Sequence, residues 1–425
     1  MPEIIKDLVC TGCSMLCDDI IVELEKGKIL KTHHVCARGY GRYYQVNFNY
    51  RIFRPILRMD GKEEEVSYER AISETINLLK TARNPFFYGW ASATSEAQQK
   101  GIQLAQKYKG MIGSAATFSI GRAIQQFLQK NIEVPSLKSI KDNADVLLFW
   151  GANPTASHIR LLSRYALFAR GANTDRGMED KVAITVDIRN TDMRKFSQSF
   201  WRIDPGKDRF LLEGLTKIIE GKALTEDQIA NIPRKELYDV ANTIKDARFG
   251  VIFFGNGYGK TSENMASLFH FLDVLKQKGV QFAAIPLDGG YNAIGFNINL
   301  KKVVGLELIA DFRQDPVVQN QDLFISMLRK GEIDLLVNLG ADPISNCPFS
   351  ISKLIAQIPI VSIDFQQTPT AKLSNVVIPT MIPGVESAGT AYRLDFTPIT
   401  LKKFLAAPNG IHSDEDIISA LLKNA

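Results

Sequence analysis

Val146-Leu147-Leu148-Phe149-Trp150-Gly151-Ala152-Asn153-Pro154 is an unbroken apolar run cut off by a Gly/Asn/Pro loop. A short apolar run without alternation, bounded by turn residues, predicts a strand buried on both faces, as in a parallel sheet covered by helices. Open parallel α/β sheets bind ligands beyond the carboxyl ends of their strands. Trp150, Gly151, Asn153 and Pro154 are therefore candidate binding residues, although many strands end in such a loop simply to turn.

The arrangement recurs at Val186-Asp187-Ile188-Arg189-Asn190-Thr191, at Asn338-Leu339-Gly340-Ala341-Asp342-Pro343 and at Ser362-Ile363-Asp364-Phe365. The carboxylate of Asp187 is placed to receive the N1–H and N2–H2 donors of a guanine. Asp364 has an alternative reading as a helix or turn cap. Together these strand-then-polar-loop pieces predict a large bound cofactor. Gly255-Asn256-Gly257-Tyr258-Gly259-Lys260 resembles a phosphate loop but lacks the full Walker spacing, and a strand-end loop explains it equally.

Further strands are expected at Phe86–Tyr88, Val182–Val186, Phe249–Phe254, Phe282–Ile285, Leu335–Leu339 and Ile358–Ile363. Helical periodicity marks Tyr68–Thr81, Ala97–Lys107, Arg122–Asn131, Phe210–Ile219, Ser262–Lys278, Gln321–Lys330 and Ser413–Leu422. Strands alternating with helices predict an α/β protein with at least two parallel sheets. The first 60 residues differ, with Cys, Gly, His and short alternating segments at Ile20–Leu24 and Lys28–His33. The expected division is a unit over 1–60, an α/β domain from 61–140 plus 250–330, a second over 141–249, and a C-terminal α/β segment over 331–425, with joints near Asp204–Asp208 and Lys222–Pro233.

The 425-residue chain is 45% apolar and 23% charged, which argues against disorder and collagen-like repeats. Its net charge of +5 gathers into no basic run interleaved with aromatics, so no nucleic-acid partner is expected. No apolar run approaches the ~18 residues of a membrane span. The opening Met1–Asp7 has neither a basic nor a long apolar leader region, so a cytoplasmic location is expected.

Of five cysteines, Cys10, Cys13, Cys17 and Cys36 crowd near the start with spacing C-x2-C-x3-C-x18-C. Three thiols from a tight loop and a fourth returned by a hairpin can each bind one iron of a 4Fe-4S cluster. Four cysteines also satisfy tetrahedral zinc, but the x3 gap departs from paired C-x2-C knuckles. Disulfides rank third. Arg38 could tune a cluster or carry an electron path, or be a surface cation. His33 and His34 lie beside a thiol set that leaves no vacancy, so surface or hydrogen-bonding roles are expected. His158 has two open readings, pocket-facing or packing, and Cys347 reads as a loop thiol without a partner to activate it.

Beyond these single residues, Trp150-Gly151-x-Asn153-Pro154, Asp187-x-Arg189-x-Thr191, Asp364-Phe365-Gln366-Gln367-Thr368-Pro369-Thr370, Val377-Ile378-Pro379 and Gly384-x-Glu386-x-x-Gly389-Thr390-x-Tyr392-Arg393-x-Asp395 form an ordered set. With the N-terminal cysteines, it resembles the B subunit of formylmethanofuran dehydrogenase, of the molybdopterin oxidoreductase superfamily, essentially end to end. The resemblance implies a formate dehydrogenase-like fold without the C-terminal barrel. It implies a 4Fe-4S cluster and a tungsten or molybdenum bis-pterin guanine dinucleotide held by residues including Asp342, Pro343, Asp364, Thr368 and Thr370. It also implies three partner chains of a formylmethanofuran dehydrogenase-like complex: an amidohydrolase-like A subunit, a C subunit, and a D subunit that supplies the barrel.

The chain departs from that family where the chemistry lies. Ala116-Thr117-Phe118-Ser119-Ile120-Gly121 puts Ser119 and Ile120 at the places of the metal-binding Cys and the His, and Asp288-Gly289-Gly290-Tyr291-Asn292 puts Asp288 at the place of the substrate-handling Arg. A serine alkoxide can ligate a high-valent metal, but Ile120 moves no proton and Asp288 repels an anionic product. This pattern resembles the bacterial formyltransferase/hydrolase complex, whose B subunit is redox-silent. An active tungsten or molybdenum formate/CO2 oxidoreductase with a Ser ligand is the alternative, favoured by the intact cysteines.

Overall fold

In the computed structural model, residues 2–44, 50–59, 61–305, 308–314 and 323–424 are described. The chain forms two compact units. Unit 1 gathers Met1–Phe118, Gly290–Arg393 and Pro398–Ala425, and unit 2 gathers Ser119–Gly289 and Leu394–Thr397.

Unit 2 is built on a five-stranded parallel sheet in the order Ser199–Arg202, Val182–Asp187, Val146–Trp150, Gly250–Phe254, Phe282–Pro286. Val146–Trp150 is central and buried along its whole length, as its unalternating apolar run requires. The chain proceeds from it to one edge and then returns to its other side with Gly250–Phe254. The switch point of the sheet therefore lies between these two strands.

Unit 1 holds an eight-stranded sheet in the order Ile309–Asp311, Met111–Ser114, Pro85–Gly89, Leu335–Leu339, Ile360–Asp364, Val376–Pro379, Ile56–Met59, Lys62–Glu65. The five strands from Met111–Ser114 to Val376–Pro379 are parallel, and the flanking ones antiparallel. Its switch point falls between Pro85–Gly89 and Leu335–Leu339. Helices Tyr68–Thr81, Ser95–Lys107 and Asp414–Lys423 supply Ile72, Ile76, Ile102, Leu104, Ile417 and Leu421 to the core. Glu3–Leu8, Ile20–Glu25 and Lys28–His33 form a small antiparallel sheet, followed by helix Ala37–Tyr44.

Most expected elements recur within a few residues. The expected grouping of segments does not. Gly250–Phe254 pairs with Val146–Trp150 and Phe282–Pro286 with Gly250–Phe254, so 250–289 belongs with unit 2 and not with 61–140. Residues 121–140 likewise fall in unit 2, and the 1–60 and 331–425 segments fall in unit 1 apart from Leu394–Thr397. Strand pairing joins distant stretches, and periodicity along the chain carries no information about which ones. The expected joints are interior to unit 2: 204–208 leads into helix Asp208–Glu220, and 222–233 contains a two-stranded ribbon. The helix expected at 321–330 is described over Leu323–Arg329, with Gln321 outside the described residues. No described helix is long and apolar enough to cross a membrane.

Candidate functional site

Cys10, Cys13 and Cys17 are buried and Cys36 half-buried, all as free thiols. The loop closes on itself through Cys10 N–H to the Cys17 carbonyl at 2.9 Å and Leu16 N–H to the Cys13 carbonyl at 3.2 Å. The Tyr40 N–H donates to the Cys36 carbonyl at 2.8 Å, which starts the helix carrying Gly39. A Cβ on Gly39 would stand 2.8 Å from Cys10 Sγ, so glycine is what lets that helix approach the thiol. Burial pushes the Cys10 thiol up to about 12, with Cys17, Cys13 and Cys36 raising it and the Gly12 N–H lowering it. Burial likewise pushes Cys13 up to about 12, against the Met15 N–H and with Cys17 and Cys36 adding to it. Three thiols of one buried loop and a fourth at the start of the next helix, whose thiolate forms would repel one another, are a donor set that a cationic group suits, since it displaces their protons and neutralises the thiolates. The residues fit a 4Fe-4S cluster, which takes one thiolate per iron. Among the described residues, no set of three or more His, Cys, Asp or Glu is arranged to hold a single metal ion. His33 pairs with Glu23 at 2.6 Å, and His34 bonds the Asp19 carbonyl at 2.9 Å.

In unit 2 a cavity of about 650 Å³ opens at the sheet's switch point. Gly151, Asn153, Arg189, Thr191, Gly255 and Asn256 are among its lining residues. Gly151 sits at φ +54°, and a Cβ on Gly255 would stand 2.3 Å from the Gly151 carbonyl oxygen, so the two strand-end turns meet as only glycines allow. The buried Thr191 hydroxyl oxygen has no hydrogen-bond partner among the described residues. A cavity of this size with exposed Arg189 and an unpaired hydroxyl suits an anionic nucleotide-like ligand. Asp187 is 5% exposed and accepts the Arg189 N–H at 2.9 Å, which shapes this turn. Trp150 points away from the cavity lining: it is buried, and its indole N–H donates to Asp208 at 2.8 Å. Pro154 is buried at the first position of helix Pro154–Ser157.

Ser119, Ile120 and Asp288, expected from the sequence to stand where the resembled family carries its chemistry, also lie in unit 2. The Ser119 hydroxyl donates to the Asp288 carboxylate at 3.4 Å. His158 is buried, with Nε2 at 3.0 Å from the Asp288 carbonyl oxygen and Nδ1 at 2.9 Å from Ser157 Oγ. A carbonyl only accepts, so Nε2 carries the proton and a neutral ring takes the Ser157 hydroxyl at Nδ1. Ile120 is 1% exposed and packs near Gly259, whose Cβ would come within 3.1 Å of its Cγ1. These residues fit a metal–thiolate centre poorly. The hydroxyl at position 119 is a donor to a carboxyl group, and the neighbouring side chain is acidic, not basic.

The remaining candidates sit at strand ends of unit 1, where their side chains serve the turns. Asp342 Oδ1 accepts from the Thr370 hydroxyl at 2.5 Å, from the Thr370 N–H at 3.1 Å and from the Ser345 N–H at 3.4 Å. Pro343 opens the short helix that Asp342 caps, and Thr368 caps helix Pro369–Leu373 by accepting the Ala371 N–H at 3.1 Å. Asp364 accepts the Gln366 N–H at 3.0 Å, and burial pushes its carboxyl up to about 6. Asp364, Phe365, Thr380 and Asp414 line one small hollow at this sheet's switch point. Sequence reading did not single out Arg42 or Asp414, neither of which belongs to a strand-end motif. Cys347 lies beside Tyr88, and burial raises its thiol, which opposes nucleophilic use.

A family model described as molybdopterin oxidoreductase matches residues 51–424. The B subunit of the tungsten-containing formylmethanofuran dehydrogenase 2 of Methanocaldococcus jannaschii is 33% identical over 429 aligned residues, covering 100% of this chain and 99% of that protein. The protein of the same description from Methanococcus maripaludis is 34% identical, covering 99% and 98%. A chain of the formyltransferase/hydrolase complex from Methylorubrum extorquens, solved in complex with methylofuran, superposes with a TM-score of 0.69 at 15% identity, over 87% of this chain and 98% of that one. Acetylene hydratase from Pelobacter acetylenicus gives 0.70 at 12% identity, over 99% and 69%. At such identities the structural likeness carries the fold alone.

Proposed function

The chain belongs to the molybdopterin oxidoreductase family and, within it, to the B-subunit proteins of formylmethanofuran dehydrogenase, and from that membership we propose that it is the B subunit of a one-carbon complex handling formyl groups, with no redox step of its own at the metal position. One observation carries this reading: Ser119, at the place of the family's metal-binding Cys, donates its hydroxyl to Asp288, at the place of the family's Arg. A serine that donates a hydrogen bond to a carboxyl group keeps its proton and is held as the neutral alcohol, and a carboxylate in place of a guanidinium repels formate. With Ile120 buried beside them, no side chain at these three positions binds a soft metal, shuttles a proton and clamps an anion together.

Under this reading the unit 2 cavity holds the guanine nucleotide part of a pterin cofactor as a structural ligand. Asp187, Arg189, Thr191 and the Gly151 and Gly255 turns form its walls. Cys10, Cys13, Cys17 and Cys36 hold a 4Fe-4S cluster. Formyl transfer and hydrolysis reside in an amidohydrolase-like chain, accompanied by a C subunit and a barrel-like D subunit. A second reading, an active tungsten or molybdenum oxidoreductase with Ser119 as ligand, draws support from the tungsten-containing relatives and the complete cysteine set.

Anaerobic purification of the assembled complex, with elemental analysis and a viologen-linked formate oxidation assay, separates the two. The expected outcome is about four iron atoms per chain and no formate-dependent viologen reduction. Stoichiometric tungsten or molybdenum with formate-dependent reduction would overturn the silent reading. Stoichiometric zinc without iron would overturn the cluster assignment.

A further inference from the structure

Helix Ala37–Tyr44 leaves the cysteine loop and carries Arg42 back over it. Both Nε and Nη2 of Arg42 donate to the Thr11 carbonyl, at 3.2 and 3.1 Å, inside the loop that bears Cys10 and Cys13. The guanidinium carbon lies 4.8 Å from the centroid of the Phe365 ring and 6.0 Å from that of Tyr291. Phe365 follows Asp364, the last residue of strand Ile360–Asp364. Arg42 thus touches both the four-thiol loop and the residue that follows the buried Asp364, and while burial disfavours its cation, Tyr291, Asp364 and Cys10 act to hold it. No part of the formyl chemistry above uses this arrangement.

We propose that Asp364 is a proton acceptor coupled through Arg42 to the charge of the four-cysteine group. One electron delivered to a cluster there by a low-potential one-electron donor is accompanied by one proton taken from solvent onto the Asp364 carboxylate. The balance is simple: oxidised cluster, electron, carboxylate and proton become reduced cluster and carboxylic acid. The inference rests on the cluster assignment and is independent of whether position 119 is silent.

The physical ground is a shared counter-ion in a poorly solvated interior. When the thiolate group gains a negative charge, Arg42 is the cation among the described residues that faces both it and Asp364, and one guanidinium cannot neutralise both anions fully. The interaction is strong because little water screens it, and the carboxyl answers by binding a proton more tightly. Other groups around Asp364 are poorly suited to the role. Asp342, on the next strand end, raises the carboxyl's proton affinity, and the Gln366 and Phe365 amides lower it. Tyr291, on the far side of Arg42, is held well above its ordinary value by burial and stays neutral throughout. Arg51 and Glu386, behind Phe365, form a buried ion pair at 2.6 Å. Asp414 shares the hollow and burial raises its carboxyl as well, but it is tied to the Thr94 N–H, the Thr94 hydroxyl and the Glu415 N–H at 3.0, 3.3 and 2.9 Å, and the charge that acts on it is that of Glu415 and not that of Arg42. The hollow measures about 10 Å³, room for about one water to deliver the proton.

Redox titration of the anaerobic complex, following the cluster's visible or EPR signal from pH 5 to 9, tests this. Below the proton affinity that Asp364 has beside the oxidised cluster, the carboxyl is protonated in both states and the midpoint potential is flat. Above it, the reduction equilibrium should weaken up to tenfold per pH unit, about 59 mV for one electron. Asp364→Asn should abolish the slope, Asp414→Asn should retain it, and Arg42→Gln should move its onset to higher pH. In the unaltered protein, the infrared difference spectrum on reduction should show a new protonated-carboxyl stretch, a readout that needs no variant to fold. A flat wild-type potential between pH 6 and 9, a slope surviving in Asp364→Asn, or no carboxyl band would each overturn the proposal. Iron content and the visible band report separately on whether the cluster itself is present.

Discussion

At the scale of single residues, the positions proposed to have lost the family's chemistry are joined in the structure. Ser119 and Asp288, 169 residues apart, meet in a hydrogen bond, so under the proposed reading the two departures from the family complement each other. If Ser119 is a hydroxyl held by a carboxylate, Ser119→Ala removes that long hydrogen bond and no metal ligand. Formyl turnover by the assembled complex should then stay within about twofold, because a lost long hydrogen bond is worth on the order of 1 kcal/mol or less to stability. A loss of a hundredfold or more, with assembly intact, would identify Ser119 as a metal ligand. Asp414 supports a second residue-level prediction. Burial pushes its carboxyl up from an ordinary 3.8 to about 6 in the fold. A carboxyl that binds its proton more tightly when folded favours the fold fully below the unfolded value and loses that contribution as pH rises through the folded one. Asp414→Asn, which keeps an acceptor for Thr94, should therefore gain stability relative to the wild type between pH 4 and 6, by about 3 kcal/mol at most. Parallel denaturant titrations at pH 4 and 7 measure the difference. An unchanged gap between the two proteins at both pH values would contradict it.

At the scale of elements, legibility depended on whether a segment's burial is written in its own residues. Val146–Trp150 and Leu335–Leu339 are apolar throughout apart from Asn338 and have the expected limits. Helix Tyr68–Thr81 shows a clean apolar face and a Ser67 cap, and its limits too are as expected. Helix Ala293–Val304 passed unnoticed because its buried face includes Asn297 and Asn299, which break the periodic pattern while bonding inside the core. Met111–Ser114 and Ile309–Asp311 are too short to announce themselves and become strands by pairing with each other. The turn residues of the candidate site were legible for the same reason as the central strands, since Gly151, Asp187, Asp342 and Asp364 end obvious apolar runs. Arg42 was not, because it sits in a mostly polar helix whose role depends on residues more than 300 positions away. Packing between elements yields a further test. Gly101 faces Trp90, and a Cβ there would lie 2.1 Å from the indole. Trp90 is fully buried, and Gln98 Nε2 donates to its carbonyl at 2.8 Å, so the ring has little freedom to move. Gly101→Ala should destabilise by about 1–3 kcal/mol through overpacking, despite alanine's better helix propensity. Thermal or urea unfolding would show it, and a neutral or stabilising result would mean the indole can shift.

At the scale of the whole molecule, the chain builds unit 1 from three separated stretches, so its integrity depends on the last of them arriving. The final helix, Asp414–Lys423, places Ile417, Ile418 and Leu421 in the main core of unit 1 at 0% exposure. Lys100 on helix Ser95–Lys107 donates to Glu415 at 2.6 Å and to Ser419 at 2.8 Å, and Asp414 receives the Thr94 amide that starts that helix. Each buried Ile or Leu contributes roughly 1.5–3 kcal/mol, so the three together approach the 5–15 kcal/mol by which typical domains are stable. Ending the chain after Ser413 should therefore leave unit 1 unable to hold its core closed. The truncated protein is expected to be insoluble or rapidly proteolysed, and to lose the visible cluster band, because the cysteine loop belongs to the same unit. Lys100→Ala is the contrasting case. It removes only the half-exposed polar contacts to this helix and should cost about 1 kcal/mol or less while leaving the band intact. If the truncated chain instead purified in soluble form with its iron and its unfolding midpoint unchanged, the burial of Ile417, Ile418 and Leu421 would not be what closes unit 1.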